Sequence, residues 1–385
     1  MKRYYNKVII DSLNLPMLTC FEDIVKEVRL DAKLVYWLTK KDAYGKYKTF
    51  YIDKKDGSQR EINAPALAVK LFQRWILENI LYKIRTSKYS YGFEKKKGSP
   101  LVRCAEMHRN NLYVLKVDLK DFYPSIARKR VFFEFVNIGY NDEVADLLTN
   151  VCVLDGKLPQ GAVTSAYLAN LICRKLDSRI AGYCNKRNIV YTRYADDLTF
   201  SCDDRDLLKR MHRMVKVIVE DEGFVLNQKK TVFMTPKCQK RVLGVTINDN
   251  LLKAPKETKR MIRAMLHYAV AAGDYSMNNV LRGYIAYVDS IERTYKKKCI
   301  NYLVKLSESN LCLFPDIVKA YNENKIFKEL PDMLERKAID FVEYEDIEDY
   351  ENMIYCVHEE YLASHGLVLE QDELVELDLA ELFFE

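Results

Sequence analysis

Residues 189–201 place two adjacent acids between two runs of strand-forming residues. Ile189 to Tyr191 precede Asp196 and Asp197, and Leu198 to Phe200 follow them. β-Branched and aromatic residues favour extended chain, so the pattern predicts a hairpin with the acids at its turn. Successive side chains of an extended chain point to opposite faces, so only one acid faces a given site directly. Acids are also ordinary turn residues, so this stretch alone does not decide between a plain turn and an active site.

Composition is that of a folded chain with more than one domain. The 385 residues are 49% hydrophobic and 12% aromatic, which allows two or three domains with a sizeable core. The ten cysteines include no CxxC pair and are expected to be reduced thiols, neither disulfides nor zinc ligands. No apolar run resembles a signal peptide or a membrane span. We therefore expect a soluble, cytoplasmic protein.

The net charge of +6 conceals a strong asymmetry along the chain. Residues 329–385 contain 19 acids and two bases, whereas residues 1–328 contain 59 bases and 36 acids, a net charge of +23. A body this basic is expected to bind a polyanion, and we favour nucleic acid over a merely solvated surface. The segment 255–306 is predicted to be helical, basic and rich in tyrosine, which is typical of backbone binding. The basic residues predicted to bind nucleic acid there are Lys256, Lys259, Arg260, Arg263 and Arg282.

A second acid, Asp118, follows the apolar run Tyr113 to Val117 and is predicted to lie at a strand end. Helices are predicted between this strand and the hairpin, including a long one over residues 166–181. Such an order can return the hairpin beside the Asp118 strand. Carboxylates held close together resist joint ionisation, and Mg²⁺ is the cation best suited to them. Two such ions would activate a hydroxyl group and stabilise a leaving pyrophosphate.

At this point a family resemblance becomes visible. Tyr194-Ala-Asp-Asp197 resembles the YxDD box of reverse transcriptases, and the order of the other motifs is similar to that family's, over about residues 20–310. The further segments that resemble family motifs are Arg60 (fingers), Val117–Tyr123 (motif A), Leu158–Ser165 (motif B), Gly223–Lys230 (motif D) and Val242–Gly244 (primer grip). One such motif is weak support, whereas several in order are strong support.

The resemblance implies roles for particular residues. Asp118 and Asp196 would hold two Mg²⁺ ions, with Asp197 as a third, more peripheral acid. Tyr123 would be the steric gate against a 2′-hydroxyl group. The remaining residues with an implied role in nucleotide binding are Arg60, Gln160, either Lys229 or Lys230, and the main-chain N–H groups near Lys120, Asp121 and Phe122.

The resemblance also implies an α+β right-hand polymerase fold. Fingers and palm would be followed by a helical thumb and an acidic C-terminal extension, with the antiparallel palm sheet carrying the YADD hairpin. The expected divisions are 1–112 for N-terminal helices and fingers, 113–250 for the palm, 251–320 for the thumb and 321–385 for the extension.

Within the family the sequence is most similar to bacterial retron reverse transcriptases. Cys104-Ala-Glu-Met-His108 departs from their Asn-Ala-x-x-His element in its first residue, and Val242-Leu-Gly244 replaces their Val-Thr-Gly. The resemblance implies dNTP substrates, a structured noncoding RNA partner, priming from an RNA 2′-hydroxyl group and antiphage defence. A further hypothesis is that the acidic C-terminal extension contacts an effector protein or masks the basic cleft. The alternatives are another defence-associated or group II-like reverse transcriptase, an RNA-templated RNA polymerase, or a noncatalytic RNA-binding scaffold.

Overall fold

The structure is a computed structural model, and it describes residues 5–41, 44–53, 57–94, 98–272 and 276–308. The helices within these ranges are α1 (Lys7–Ser12), α2 (Phe21–Val28), α3 (Ala32–Thr39), α4 (Leu67–Asn79), α5 (Pro100–His108), α6 (Arg128–Ile138), α7 (Asp142–Cys152), α8 (Ser165–Ile172), α9 (Arg174–Asn185), α10 (Arg205–Asp221), α11 (Lys256–Ala272), α12 (Asn278–Ile291) and α13 (Tyr295–Glu308). The strands are β1 (Tyr47–Asp53), β2 (Gln59–Pro65), β3 (Tyr113–Leu119), β4 (Val190–Tyr194), β5 (Asp197–Cys202), β6 (Leu226–Met234), β7 (Arg241–Val242) and β8 (Val245–Thr246).

A four-stranded antiparallel sheet organises the first of two compact units. Its strand order is β4-β5-β3-β6, so β3 lies inside the sheet and β4 and β6 lie at its edges. β3 is apolar on both faces because Val114, Leu115, Val117 and Leu119 are all buried. In β6 exposed residues do not alternate regularly with buried ones, which suits a strand at the edge of a sheet. The mixture of helices with an antiparallel sheet confirms the predicted α+β class.

Helices cover the sheet by burying their apolar stripes. α10 packs against β3, β5 and β6, while α9 and α5 pack against β4. The Asp204 carboxylate begins α10 by accepting hydrogen bonds from two main-chain N–H groups of its first turn. Gly223, with φ of +77°, follows the helix end in the left-handed region as the sequence predicts. The buried residues of α10 are Leu208, Met211, Val215, Ile218 and Val219.

The predicted single helix over residues 166–181 is wrong, because the chain forms two helices there. α8 ends before Cys173, whose φ of −80° and ψ of 0° depart from helical values, and α9 begins at Arg174. The Arg174 guanidinium donates to the main-chain oxygen of Leu171 at 3.1 Å. The Arg174 side chain therefore provides a hydrogen-bond partner for a carbonyl group at the end of α8, where the helical bonding pattern is interrupted.

The loop before α8 is joined to β2 by the backbone. The Asn63 N–H group donates to the Gln160 main-chain oxygen at 2.7 Å. The neighbouring Gly161 has a φ of +118°, and a Cβ atom there would approach the Asn63 main-chain oxygen to 2.9 Å. Glycine is required at this position both for its backbone conformation and for this close approach.

The second unit contains α11, α12 and α13, with α12 packed against both neighbours. Its core includes Ile262, Ile285, Val288 and Leu303. The division into fingers, palm, thumb and extension stays a prediction, and residues 321–385 lie outside the described ranges. Among the helices described, none has the length and apolar character needed to cross a membrane.

We predict that Gly161→Ala destabilises the protein by about 2 kcal/mol, because the substitution combines backbone strain with contact against the Asn63 carbonyl group. Gly182→Ala is the matched control, since Gly182 lies on the exposed face of α9 with nothing within 4 Å of an added Cβ atom. That control gains up to about 1 kcal/mol from helix propensity. Denaturant unfolding of both variants measures the difference, and equal stabilities would contradict the tight approach of this loop to β2.

Candidate active site

Strand register brings three aspartates to one end of the central sheet. Asp118, near the end of β3, lies directly opposite Asp197, the first residue of β5. Asp196 lies in the turn between β4 and β5, and its main-chain oxygen accepts a hydrogen bond from the Leu119 N–H group at 3.0 Å. Ala195 before it has a φ of +51°, which is uncommon for a residue with a side chain and costs roughly 1 kcal/mol. The hairpin is therefore tight and is attached to the strand that carries Asp118.

Burial and repulsion from neighbouring carboxylates disfavour the ionised forms of Asp196 and Asp197. Burial, followed by the charges of Asp197 and Asp118, raises the pKa of Asp196 to about 6. Burial also raises the pKa of Asp197, against the opposing effect of Lys116. The Lys116 Nζ atom lies 3.9 Å from an Asp197 carboxylate oxygen. A nearby positive charge therefore stabilises the ionised carboxylates of the cluster.

Asp118 has two further partners, both on β6. The Asn227 side-chain amide donates to Oδ1 at 3.1 Å, and the Lys230 ammonium donates to Oδ2 at 3.2 Å. The β3–β6 register shifts between the pairs Lys116–Val232 and Asp118–Asn227, and Lys230 lies within the shifted segment. Such an irregularity re-aims side chains. Of the two lysines left open by the sequence, Lys230 contacts Asp118, and Lys229 is exposed beside it.

The chemistry of the cluster suits a divalent cation, and two lysines lie within 4 Å of its carboxylates. In the part of the chain that the structure describes, no three His, Cys, Asp or Glu side chains are arranged as a ligand set. The Lys230 ammonium and the Lys116 ammonium supply positive charge instead. Carboxylate oxygens are nevertheless the ligands that hard divalent ions prefer, and burial, followed by the charges of Asp197 and Asp118, is what raises the pKa of Asp196. The donor set therefore fits such an ion.

The structure distributes the other predicted nucleotide-binding residues unequally. Tyr123 is close to the cluster: burial and then the Asp196 charge raise the pKa of its hydroxyl group. Gln160 is half-buried next to Gly161, and Arg60 is exposed on β2. None of the described hydrogen bonds joins Arg60 to the three aspartates. The Lys120 N–H group donates to the Val225 main-chain oxygen at 2.8 Å, and the binding of a triphosphate by the N–H groups near Lys120, Asp121 and Phe122 stays a prediction.

The predicted nucleic-acid-binding residues all lie on helices of the second unit. Lys256, Arg260 and Arg263 are exposed on α11, whereas Arg282 is half-buried on α12. The Arg263 guanidinium lies over the Tyr302 ring, 4.6 Å from its centroid. Lys259 differs from the rest, because its ammonium donates to the Glu292 carboxylate at 2.7 Å.

A buried histidine joins the two strands of the hairpin, and no local sequence pattern indicates its partners. His108 is fully buried on α5; its Nδ1 atom lies 2.7 Å from the Ser201 hydroxyl group on β5. Its Nε2 atom lies 2.7 Å from the Thr192 hydroxyl group on β4, which Cys104 also contacts at 3.1 Å. Burial lowers the pKa of His108 to about 3. The ring is therefore neutral and connects β4 to β5 behind the turn.

An antiparallel sheet that gathers three carboxylates between a strand end and a hairpin turn defines a palm-type nucleotide polymerase. The family described as "Reverse transcriptase (RNA-dependent DNA polymerase)" matches residues 52–247, and the chain belongs to this family. It has the palm and fingers of the polymerase fold and is an RNA-directed DNA polymerase.

Curated relatives narrow the assignment to bacterial retron enzymes. Retron Ec86 reverse transcriptase of Escherichia coli is 34% identical over 307 residues, which cover 79% of this chain and 95% of the relative. Retron Mx65 reverse transcriptase of Myxococcus xanthus is 35% identical over 261 residues, or 63% of this chain and 60% of the relative. A solved telomerase from Candida albicans with a TWJ fragment of telomeric RNA covers 88% of this chain and 68% of its own, at 12% identity and a TM-score of 0.41. That similarity is too low to add to the assignment.

We predict that His108 makes the folded protein sensitive to acid. Its pKa falls from 6.5 to about 3 on folding, so the unfolded chain binds the additional proton and stability is lost as the pH falls below about 6.5. Between pH 7 and pH 5 this contributes about 2 kcal/mol to the loss of unfolding free energy. Urea unfolding of wild type and His108→Gln at both pH values measures it. The variant is less stable at pH 7 but loses less on acidification; an identical pH dependence would contradict the assignment.

Proposed function

We propose that the protein is a retron-type reverse transcriptase that copies part of a cognate structured noncoding RNA into DNA. Its activity as an RNA-directed DNA polymerase follows from the family, and the proposal concerns the residues, the template and the biological role. The observation that carries the residue assignment is the register that sets Asp118 opposite Asp197, with Asp196 in the adjoining turn.

We assign Asp118 and Asp196 as the principal ligands of two Mg²⁺ ions and Asp197 as the third acid. When bound, the ions would lower the pKa of the attacking hydroxyl group and neutralise charge on the leaving pyrophosphate. The carboxylates must be ionised to serve as ligands, and Lys116 favours the ionised form of Asp197. Lys230, which contacts Asp118 at 3.2 Å, is the motif D lysine best placed to donate a proton to pyrophosphate.

Tyr123 and the motif B loop are proposed to recognise the incoming nucleotide. The Tyr123 ring packs against Phe122, with 5.2 Å between the ring centroids, and Phe122 packs against Phe224 at 5.8 Å. A ring held in this way beside Asp196 suits a steric gate. Gln160 is held by the hydrogen bond that its main-chain oxygen accepts from the Asn63 N–H group on β2. Arg60, also on β2, is assigned to the triphosphate.

The second unit is proposed to hold RNA through its exposed bases. Lys256, Arg260 and Arg263 are open to solvent on α11, and guanidinium and ammonium groups are the usual phosphate contacts. Lys259 is the weaker member of the predicted set because it pairs with Glu292, which also accepts a hydrogen bond from the Ala254 N–H group. Arg282 completes the set.

The retron relatives support a finer proposal about priming and role. DNA synthesis would begin from a 2′-hydroxyl group of the RNA and give a branched RNA–DNA molecule, acting in antiphage defence in the cytoplasm. We further propose that the acidic residues 329–385, which lie outside the described ranges, contact an effector protein. Deletion of 329–385 tests this last point: unchanged recovery of the effector with the truncated enzyme would contradict it.

Primer extension tests the catalytic assignment. Asp118→Asn, Asp196→Asn and Asp197→Asn keep side-chain size but remove charge, so we predict a loss of about 10³-fold or more in rate with Mg²⁺ and dNTPs. Asp203→Asn is the matched control, because Asp203 follows the same hairpin and its Oδ1 atom accepts from the Leu112 N–H group, a bond that asparagine can keep. Activity in the Asp196 variant comparable to this control would contradict the site.

The nature of the product tests the retron proposal separately. Sequencing of nucleic acid that co-purifies with the wild-type enzyme is expected to yield DNA joined to RNA through a 2′-linkage. Unbranched cDNA from active enzyme would instead favour another class of bacterial reverse transcriptase. Extension with NTPs alone would indicate an RNA-templated RNA polymerase, and RNA retention without any extension would indicate a noncatalytic scaffold.

We predict that Tyr123→Ala lowers the preference for dNTPs over NTPs by about 10- to 100-fold, because removal of the ring makes room for a 2′-hydroxyl group. Tyr123→Phe keeps the ring and is expected to keep the preference. The readout is the ratio of kcat/KM for a dNTP and the matching NTP within each variant, so that differences in stability cancel. An unchanged ratio in the alanine variant would remove Tyr123 from the gate.

A further inference from the structure

An arginine lies fully buried three residues before Asp196. Arg193 is on β4 and has no solvent exposure. Burial of a guanidinium group is unfavourable unless its charge and its N–H groups are satisfied. The family resemblance implies no role for Arg193, and the proposed catalytic residues do not include it.

Asp177 on α9 pairs with Arg193 in a two-point arrangement. Nε donates to Oδ1 at 2.8 Å and Nη2 donates to Oδ2 at 2.7 Å, and Asp177 is equally buried. The Tyr191 hydroxyl group donates to the same carboxylate at 2.7 Å. The planar fork of the guanidinium fixes its orientation relative to the carboxylate.

The remaining nitrogen of Arg193 points to the hairpin turn. Nη1 donates to the main-chain oxygen of Ala195 at 3.2 Å and to the side-chain oxygen of Asn170 at 2.8 Å. Ala195 is the residue in the left-handed conformation, immediately before Asp196. The orientation imposed by α9 is thereby transmitted to the backbone that carries the acids.

Asn170 connects the same group to the loop that borders β4. Its side-chain amide donates to the Gly92 main-chain oxygen at 2.8 Å, and its oxygen accepts from the Ser90 hydroxyl group at 2.9 Å. The loop backbone also pairs with Arg193. The Arg193 N–H group donates to the Tyr89 main-chain oxygen, and the Arg193 carbonyl group accepts from the Tyr91 N–H group. At Gly92 an added Cβ atom would lie 3.3 Å from the Ala195 nitrogen. Two helices and a loop thus meet at the turn through one side chain.

Stability alone is a weak reason for such an arrangement. A buried ion pair is often no more stabilising than apolar residues of similar volume, because desolvation offsets the attraction. What apolar residues cannot supply is a directed hydrogen bond to the Ala195 carbonyl group. Displacement of a reacting group by about 1 Å can reduce the rate about 10²-fold.

We propose that Arg193, oriented by Asp177, is a positioning residue that holds the turn so that Asp196 and Asp197 meet Asp118. This inference rests on the proposed assignment of those three acids as catalytic. Arg193 touches no substrate and acts through the backbone of Ala195.

The decisive variant replaces the polar network with apolar residues. Arg193→Met, Asp177→Leu and Tyr191→Phe together remove the ion pair without leaving an unpaired buried charge, so we expect a thermal midpoint close to that of wild type. In primer extension kcat falls about 10²-fold, whereas the Kd for a template–primer duplex stays within about twofold. Tyr191→Phe alone is the control and keeps near wild-type activity.

Hydrogen exchange by mass spectrometry supplies a readout that does not depend on catalysis. Peptides covering residues 190–202 exchange faster in the triple variant, while peptides from α6 and α7 are unchanged. If the triple variant is as stable as wild type and retains both its kcat and its protection over 190–202, the proposal is overturned. Absence of polymerisation by wild type would contradict the proposed catalytic site. The comparison of hydrogen exchange over residues 190–202 would still decide whether Arg193 holds the turn.

A conservative variant covers the case in which the triple variant does not fold. Arg193→Lys keeps the charge beside Asp177 but cannot bond the carboxylate and the Ala195 oxygen together. Arg174→Lys is its control, since Arg174 lies on the same helix as Asp177 and also pairs with an acid, Glu134. We expect a larger loss of kcat in Arg193→Lys than in Arg174→Lys after both are compared at equal fractions folded; equal losses would overturn the proposal.

Discussion

Repulsion among three carboxylates at one end of a buried sheet is the constraint on which the rest of the site depends. Asp118 and Asp197 face each other across two paired strands, and Asp196 adjoins them. Such a cluster is unfavourable in isolation, because burial and then the charges of Asp197 and Asp118 raise the pKa of Asp196. Lysines of β3 and β6 balance part of the charge here. The same imbalance gives the site its proposed affinity for divalent cations and, through them, for triphosphates.

The acids can be held together only if the hairpin that carries two of them is rigid. Two polar networks lie on the two faces of β4, because neighbouring residues of a strand point in opposite directions. Thr192 contacts His108 and joins α5 to the hairpin. Arg193 contacts Asp177 and joins α9 to the turn. Both networks are buried, and both are uncharged or internally paired, so neither competes with the site for a cation.

The sequence was sufficient to identify the elements that hold the acids. Asp118 at the end of an apolar run and the acid pair between two strand-forming runs were recognisable, because strand periodicity and turn composition are local properties. The register was not predictable, since alternation alone does not say which acid of the pair lies opposite Asp118. The choice between Lys229 and Lys230 depended on the register shift in β6, which no local pattern encodes.

Non-local contacts account for the other differences. Lys259 was grouped with the exposed bases of α11, but it pairs with Glu292, 33 residues away. Arg193 belongs to a run with the composition of an ordinary strand. Its partner Asp177 lies on α9, and the start of α9 was not predicted because the Arg174 side chain stabilises the break at Cys173. A charged residue within a strand beside the two acids of the hairpin was the signal available.

The central claim is that the three aspartates form one divalent cation site. A crystal of the full chain soaked with Mn²⁺ and a nonhydrolysable dNTP, with diffraction recorded at a wavelength where manganese scatters anomalously, tests it directly. We predict an anomalous peak within about 2.0–2.4 Å of carboxylate oxygens of Asp118 and Asp196, with the Lys230 ammonium displaced from Asp118. A peak that contacts neither residue, or no peak at saturating Mn²⁺, would contradict it.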